Sequence, residues 1–148
     1  MPRSAAFRQQ RSSAEPGDRP APVTVLRRLR DDTAREVRDR LGADAIVRLD
    51  DVVRFFGLSS GGMFQVRGNG CLAATERELL FRLWIPTREV LIERPSVTSI
   101  GTPRSHRGKA SLHRLLRVEF TNRRGEPDAA AWQVRDLDAW LRSLEGWA

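Results

Sequence analysis

"LLRVEF" (115–120), "AAAWQV" (129–134) and "LDAWLRSLE" (137–145) close the chain and set the class of its fold. In the first run Leu116, Val118 and Phe120 alternate with Arg117 and Glu119, the period of two of a strand with one wet face. The second run reads as the last strand. In the third, Leu137, Trp140, Leu141 and Leu144 fall at i, i+3, i+4 and i+7, the single apolar stripe of an amphipathic helix. Asp136 stands where an N-cap is needed, Asp138 complements the positive helix start, and Arg142 lies in the last turn.

Upstream, the same short extended runs recur. "AIVRLDDVVRFFGL" (45–58) holds one or two strands closed by the turn-forming "SSGG" (59–62). "MFQVRGNGCLAAT" (63–75) alternates Phe64 and Val66 with Gln65 and Arg67 before a Gly-Asn-Gly break. "LLFRLWI" (79–85), stopped by Pro86, predicts a central strand. "EVLIE" (89–93) and "SVTSI" (96–100) follow, with Pro95 marking a bend between them. Turn signals at intervals of roughly 8–12 residues are those of a small all-β barrel or sandwich. Before the strands, Val25, Leu29, Thr33, Val37 and Leu41 recur every four residues, and Gly42 is placed to end that helix. Its other faces mix Arg27, Arg28, Arg30, Arg35, Arg38 and Arg40 with Asp31, Asp32, Glu36 and Asp39. Four acids weigh against a membrane-lying helix and favour one packed on the domain or serving as a linker.

The division is therefore a disordered Arg/Ser/Pro-rich tail (1–22), an N-terminal helix or linker (24–42) and a mainly β domain with a C-terminal helix (46–148). The net charge of +7 and pI near 11.3 point towards nucleic acid, but their distribution does not. Residues 1–30 carry seven arginines against Glu15 and Asp18, whereas the other 118 residues hold 19 basic and 17 acidic side chains. A nucleic-acid-binding domain concentrates its charge on the folded surface. One cysteine, Cys71, excludes an internal disulfide and fits a reducing compartment. No apolar stretch approaches the ~20 residues of a membrane span, and the N-terminus lacks a signal-peptide core. A cytoplasmic protein, at most peripheral at a membrane, is expected. The acid-free start, Met1 to Ala14, resembles a transit peptide only loosely.

Several motifs tempt and fail. Gly57-Leu58-Ser59-Ser60-Gly61 satisfies G-x-S-x-G, but that elbow must enter a helix, and a strand follows here. Gly68-Asn69-Gly70-Cys71-Leu72-Ala73 fits a dinucleotide fingerprint with Glu89 about 20 residues on, yet no helices alternate with the strands. "RGKA" (107–110) misses a P-loop at Pro103 and Ala110. His106, His113 and Cys71 do not form a ligand set for metal. No cofactor, no small-molecule substrate and no catalytic activity are expected.

The chain resembles the pleckstrin-homology-like superfold in its bacterial and GRAM-like versions. The resemblance rests on "GCLAATERELLF" (70–81), "REVLIERPSVTSI" (88–100), "LLRVEF", "AWQV" and the closing "LDAWLRSLE", and covers about residues 48–146. It implies a bent seven-stranded antiparallel barrel plugged at one end by the C-terminal helix, with Trp140 as the plug and Trp132 facing the same core. It also implies binding of phosphoinositides or proteins. Lipid-binding members carry their cations around the loop joining the first two strands. Here that loop, "GLSSGGM" (57–63), has no charge.

The cations lie instead in "TPRSHRGKASLHR" (102–114), which holds six basic or imidazole side chains and no acid. Arg104, Ser105, His106, Arg107, Lys109 and Arg114 are the candidate anion- or partner-binding residues, with guanidinium forks and exposed backbone N–H groups suited to phosphate or carboxylate. The expected function is a non-catalytic module docking an acidic protein surface or an anionic membrane headgroup. The alternative is a nucleic-acid-associated protein using tail and loop together.

Overall fold

A computed structural model describes residues 22–61 and 67–148. The expected tail falls outside these residues except for Pro22, as does the Phe64/Val66 alternation. Helix α1 (Pro22–Leu41) is followed by strands β1 (Arg48–Leu58), β2 (Gly68–Ala74), β3 (Glu78–Leu83), β4 (Glu89–Glu93) and β5 (Val97–Gly101). Then come β6 (Ser105–His106), β7 (Lys109–Ala110), β8 (Leu116–Thr121), β9 (Pro127–Gln133) and helix α2 (Leu137–Ser143).

Seven strands make one antiparallel sheet in the order β4-β3-β2-β1-β9-β8-β5, and β6 and β7 form a separate hairpin. The expected barrel is not closed: β4 and β5 are the two edges of the sheet. A 3₁₀ turn, Arg94–Ser96 with Pro95 inside it, redirects the chain between them, so that β5 pairs with β8 instead. The sheet nevertheless curls around one core. Val90 and Ile92 from one edge and Val97 from the other join Phe55, Phe81 and Trp132 in a single buried cluster. Trp132 lies 5.9 Å from the ring centres of both phenylalanines. Trp140 of α2, with Leu144 and Trp147 just beyond it, completes this cluster, so Trp132 and Trp140 share the core as expected. Asp136 caps α2 by accepting from the Ala139 amide at 3.0 Å.

Within the stretch 45–58 a single strand forms, β1 from Arg48, with a bulge between Asp50 and Val53. Buried Asp50 explains the bulge. Its carboxylate accepts from the amides of Val52 (3.2 Å) and Arg135 (3.1 Å), satisfying N–H groups and tying β1 to the entry of α2. In β3, Leu79, Phe81 and Leu83 face the main core, while Leu80 faces a second cluster made with Ala34 and Val37 of α1. The near-continuous apolar run thus reflects a helix laid over the outer face of the sheet, and β3 is next to an edge, not central. Cys71 belongs to that second cluster and is fully buried.

The Gly-Asn-Gly "break" is in fact the start of β2. A Cβ on Gly70 would lie 2.4 Å from the Arg82 carbonyl oxygen and 2.6 Å from the Phe81 ring, so glycine is required for close strand approach. Gly70→Ala is expected to cost about 1–3 kcal/mol by overpacking. Gly101→Ala, where the nearest atom is 4.0 Å away, is expected to stay within about 0.5 kcal/mol of the parent. Urea denaturation of both variants checks the pair.

Candidate functional site

The loop 102–114 is no loose connection. Ser105 pairs with Ala110 and His106 with Lys109 across a short hairpin. Its turn is Arg107-Gly108 with φ of 54° and 76°, the two positive φ values of a type I′ turn. The returning chain is held by Ser111 N–H to Arg104 O (2.7 Å) and Leu115 N–H to Pro103 O (2.7 Å). Leu115 then buries itself against Phe56 and Ala131 on the outer face of the sheet.

His106 pins the hairpin to the sheet. It is 3% exposed, and its Nε2 lies 3.0 Å from the Gly57 carbonyl oxygen, while Arg117 Nε approaches Nδ1 at 3.4 Å. A guanidinium can only donate, so Nδ1 accepts and Nε2 carries the proton. Burial pushes the imidazole below its usual range; the Gly57 carbonyl opposes this, and the charges of Arg117 and Arg107 add to it. His106 is therefore a neutral structural anchor and is corrected from an anion contact. With both ring nitrogens engaged, it cannot serve as the base for Ser59 in the G-x-S-x-G stretch, whose serines lie in a turn.

The anchor places the hairpin beside the end of β1 and the turn that follows it. A cleft of about 790 Å³ opens there, lined by Ser59, Ser99, Thr102, Ser105, Arg107 and Arg117 among others. Arg117 is paired to Glu119, whereas among the described residues Nη1 of Arg107 is buried without a hydrogen-bond partner. Lys109 stands within the field of Arg67 and Arg107; loss of hydration first, then these two charges, lowers its ammonium below the ordinary lysine value. Arg54 and Arg67 both lie against the Phe56 ring, 5.8 and 5.7 Å from its centre. Among the described residues, Arg54, Arg67, Arg107 and Lys109 form no ion pair with a carboxylate.

Of the candidate residues, Ser105, Arg107 and Lys109 come together at this end of the sheet. Arg104 turns back to the Leu112 carbonyl (3.1 Å), and Arg114 reaches Thr102 Oγ1 (3.5 Å), so both brace the loop. Ser59, Ser99 and Arg117 were missed because they come from separate strands and turns, whereas Thr102 opens the basic stretch itself. Arg67 had a signal, as the first cation after the uncharged β1–β2 stretch. Buried Asp128 holds the turn that follows β1, accepting from Ser60 N–H and Ser60 Oγ–H at 2.9 Å each.

Two measurements test this picture. A buried neutral histidine binds fewer protons than the unfolded chain below about pH 6.5. Its contribution to stability is therefore present above that value and lost as pH falls towards the lowered folded-state pKa. Denaturation midpoints should drop between about pH 7 and about pH 5, and His106→Gln should flatten that drop. Burial, with Asp51 adding to it, raises the Cys71 thiol to about 12. It should resist thiol reagents until the protein is unfolded, as a timed labelling assay would register.

No family model matches the chain, and no curated protein matches it. Among solved structures it is similar to the crystal structure of the C-terminal domain of an unknown protein from Leishmania infantum, with a TM-score of 0.54 and 13% identity over 79% of this chain and 96% of that one. That likeness concerns the fold alone.

Proposed function

We propose that this chain is a non-catalytic binding module of the pleckstrin-homology-like type, and that the basic end of its sheet holds a phosphate group of an anionic lipid headgroup. The fold part is supported by seven antiparallel strands curled around one core that α2 completes. The observation that carries the binding part is Arg107. Among the described residues its Nη1 is buried and unpartnered beside a cleft lined by hydroxyls, and Lys109 and Arg67 alongside have no carboxylate partner. A buried donor without an acceptor is costly, and a phosphate oxygen supplies one in fork geometry.

The backbone of Arg107 adds to this. A left-handed conformation costs a non-glycine residue on the order of 1–2 kcal/mol, and asparagine tolerates it better than arginine. Arginine is therefore poor for the turn, and its side chain is what the position uses.

Arg107→Asn separates stability from binding. The resulting Asn-Gly turn should leave the protein as stable as the parent or more so. Loss of a charge-assisted contact of about 1.5–3 kcal/mol should weaken binding to phosphoinositide-containing vesicles about ten- to a hundredfold. Lys109→Glu with Arg67→Glu should weaken it as well. Unchanged vesicle binding in these variants, or capture of an acidic peptide in preference to vesicles, would refute the headgroup reading.

A further inference from the structure

Helix α1 is two different surfaces joined end to end. Its second half is docked: Thr33, Ala34 and Val37 are buried, and the last two join Cys71, Ala73 and Leu80 on the outer face of β2 and β3. The first half leaves the sheet and keeps its apolar side chains. Val23 is 65% exposed, Val25 42% and Leu26 52%. Leu29 is half-buried where the two halves meet.

Charge divides at the same place. Residues 22–30 hold Arg27, Arg28 and Arg30 and no acid, and the sequence before them adds Arg3, Arg8, Arg11 and Arg19 against Glu15 and Asp18. All four acids of the helix lie from Asp31 onward. There Glu36 is bound to Arg82 of β3, Asp32 to Arg35, and Asp31 to Arg30, which also reaches Asp51 of β1 at 3.6 Å. The acids that weigh against a membrane role in the sequence thus belong to the docked half, where one of them fastens the helix to the sheet. What projects, from Val23 to Arg28, is an apolar and purely basic segment, with Leu29 and Arg30 at its junction with the sheet.

We infer that residues 22–30 of α1 are an interfacial anchor that lies on an anionic bilayer, with Val23, Val25 and Leu26 entering the headgroup boundary and Arg27 and Arg28 facing lipid phosphates. Apolar area and attraction to anionic lipid act together in such helices. The anchor needs only surface charge, with no particular headgroup, and so does not depend on the hairpin cleft.

The test uses the full chain with vesicles of phosphatidylcholine alone and of phosphatidylcholine mixed with phosphatidylserine. The parent is expected to sediment with the mixed vesicles and not with the neutral ones. Val23→Ser with Leu26→Ser, at exposed positions that leave the core intact, should lower partitioning about tenfold or more. Arg27→Glu with Arg28→Glu should lower it at least about twentyfold, at roughly fivefold per lost cation. Arg107→Asn should leave it nearly unchanged. A parent that ignores phosphatidylserine vesicles, or helix variants that bind them as the parent does, overturns the anchor. Loss confined to Arg107→Asn also overturns it while supporting the cleft. Circular dichroism melts of each variant keep loss of fold apart from loss of binding.

Discussion

The packing of Trp132 against Phe55 and Phe81 is the constraint on which the structure rests. These rings come from β9, β1 and β3, and they are fully buried. An aromatic core of this size cannot be covered by a flat sheet. The strands must bend until both edges contribute side chains, and the open end must be stopped by Trp140 of α2 and by Leu144 and Trp147 just after it. Arg94 secures that stopper from outside, its guanidinium lying 5.6 Å from the Trp147 ring centre and donating to the carbonyls of Glu76 and Gly146. The bulge at Asp50 belongs to the same demand, because a long strand turns a corner most cheaply by dropping one ladder pair.

Once the inner face is committed, the outer face has to be managed. α1 covers β2 and β3, which is why Cys71, Ala73 and Leu80 are apolar where a wet face would be polar. Over β1 and β9, Phe56, Leu115 and Ala131 form a smaller patch, and Leu115 brings the hairpin loop down onto it. The cationic end of the molecule is thus held by two apolar or neutral anchors, Leu115 and His106. This is a rigid way to present charge. Arg54 and Arg67 spread their cations over Phe56, and Arg107 and Lys109 are delivered to the same end by a two-residue turn.

Much of the fold was legible because period and punctuation are local signals. Leu116, Val118 and Phe120 alternate in the sequence and are buried in the structure, and the stripe through Trp140 and Leu144 is the face α2 buries. Two of the readings that went astray show the physical reason. Gly68-Asn69-Gly70 has turn composition, but its last glycine answers to the Phe81 ring and Arg82 carbonyl on the neighbouring strand. His106 sits among cations in the sequence, yet its environment is set by Gly57, 49 residues away. No local pattern encodes a contact between distant chain segments.

The sequence by itself determined a mainly β domain with a closing amphipathic helix, an upstream helix, and an acid-free basic stretch at 102–114, because each depends on residues that are neighbours along the chain. Tertiary structure alone decided that the sheet stays open, and that His106 is a neutral anchor. It also decided which cations meet in one place and which half of α1 is covered. Those outcomes depend on burial and on electrostatic fields summed over separate strands, and these exist only once the sheet has bent around Trp132.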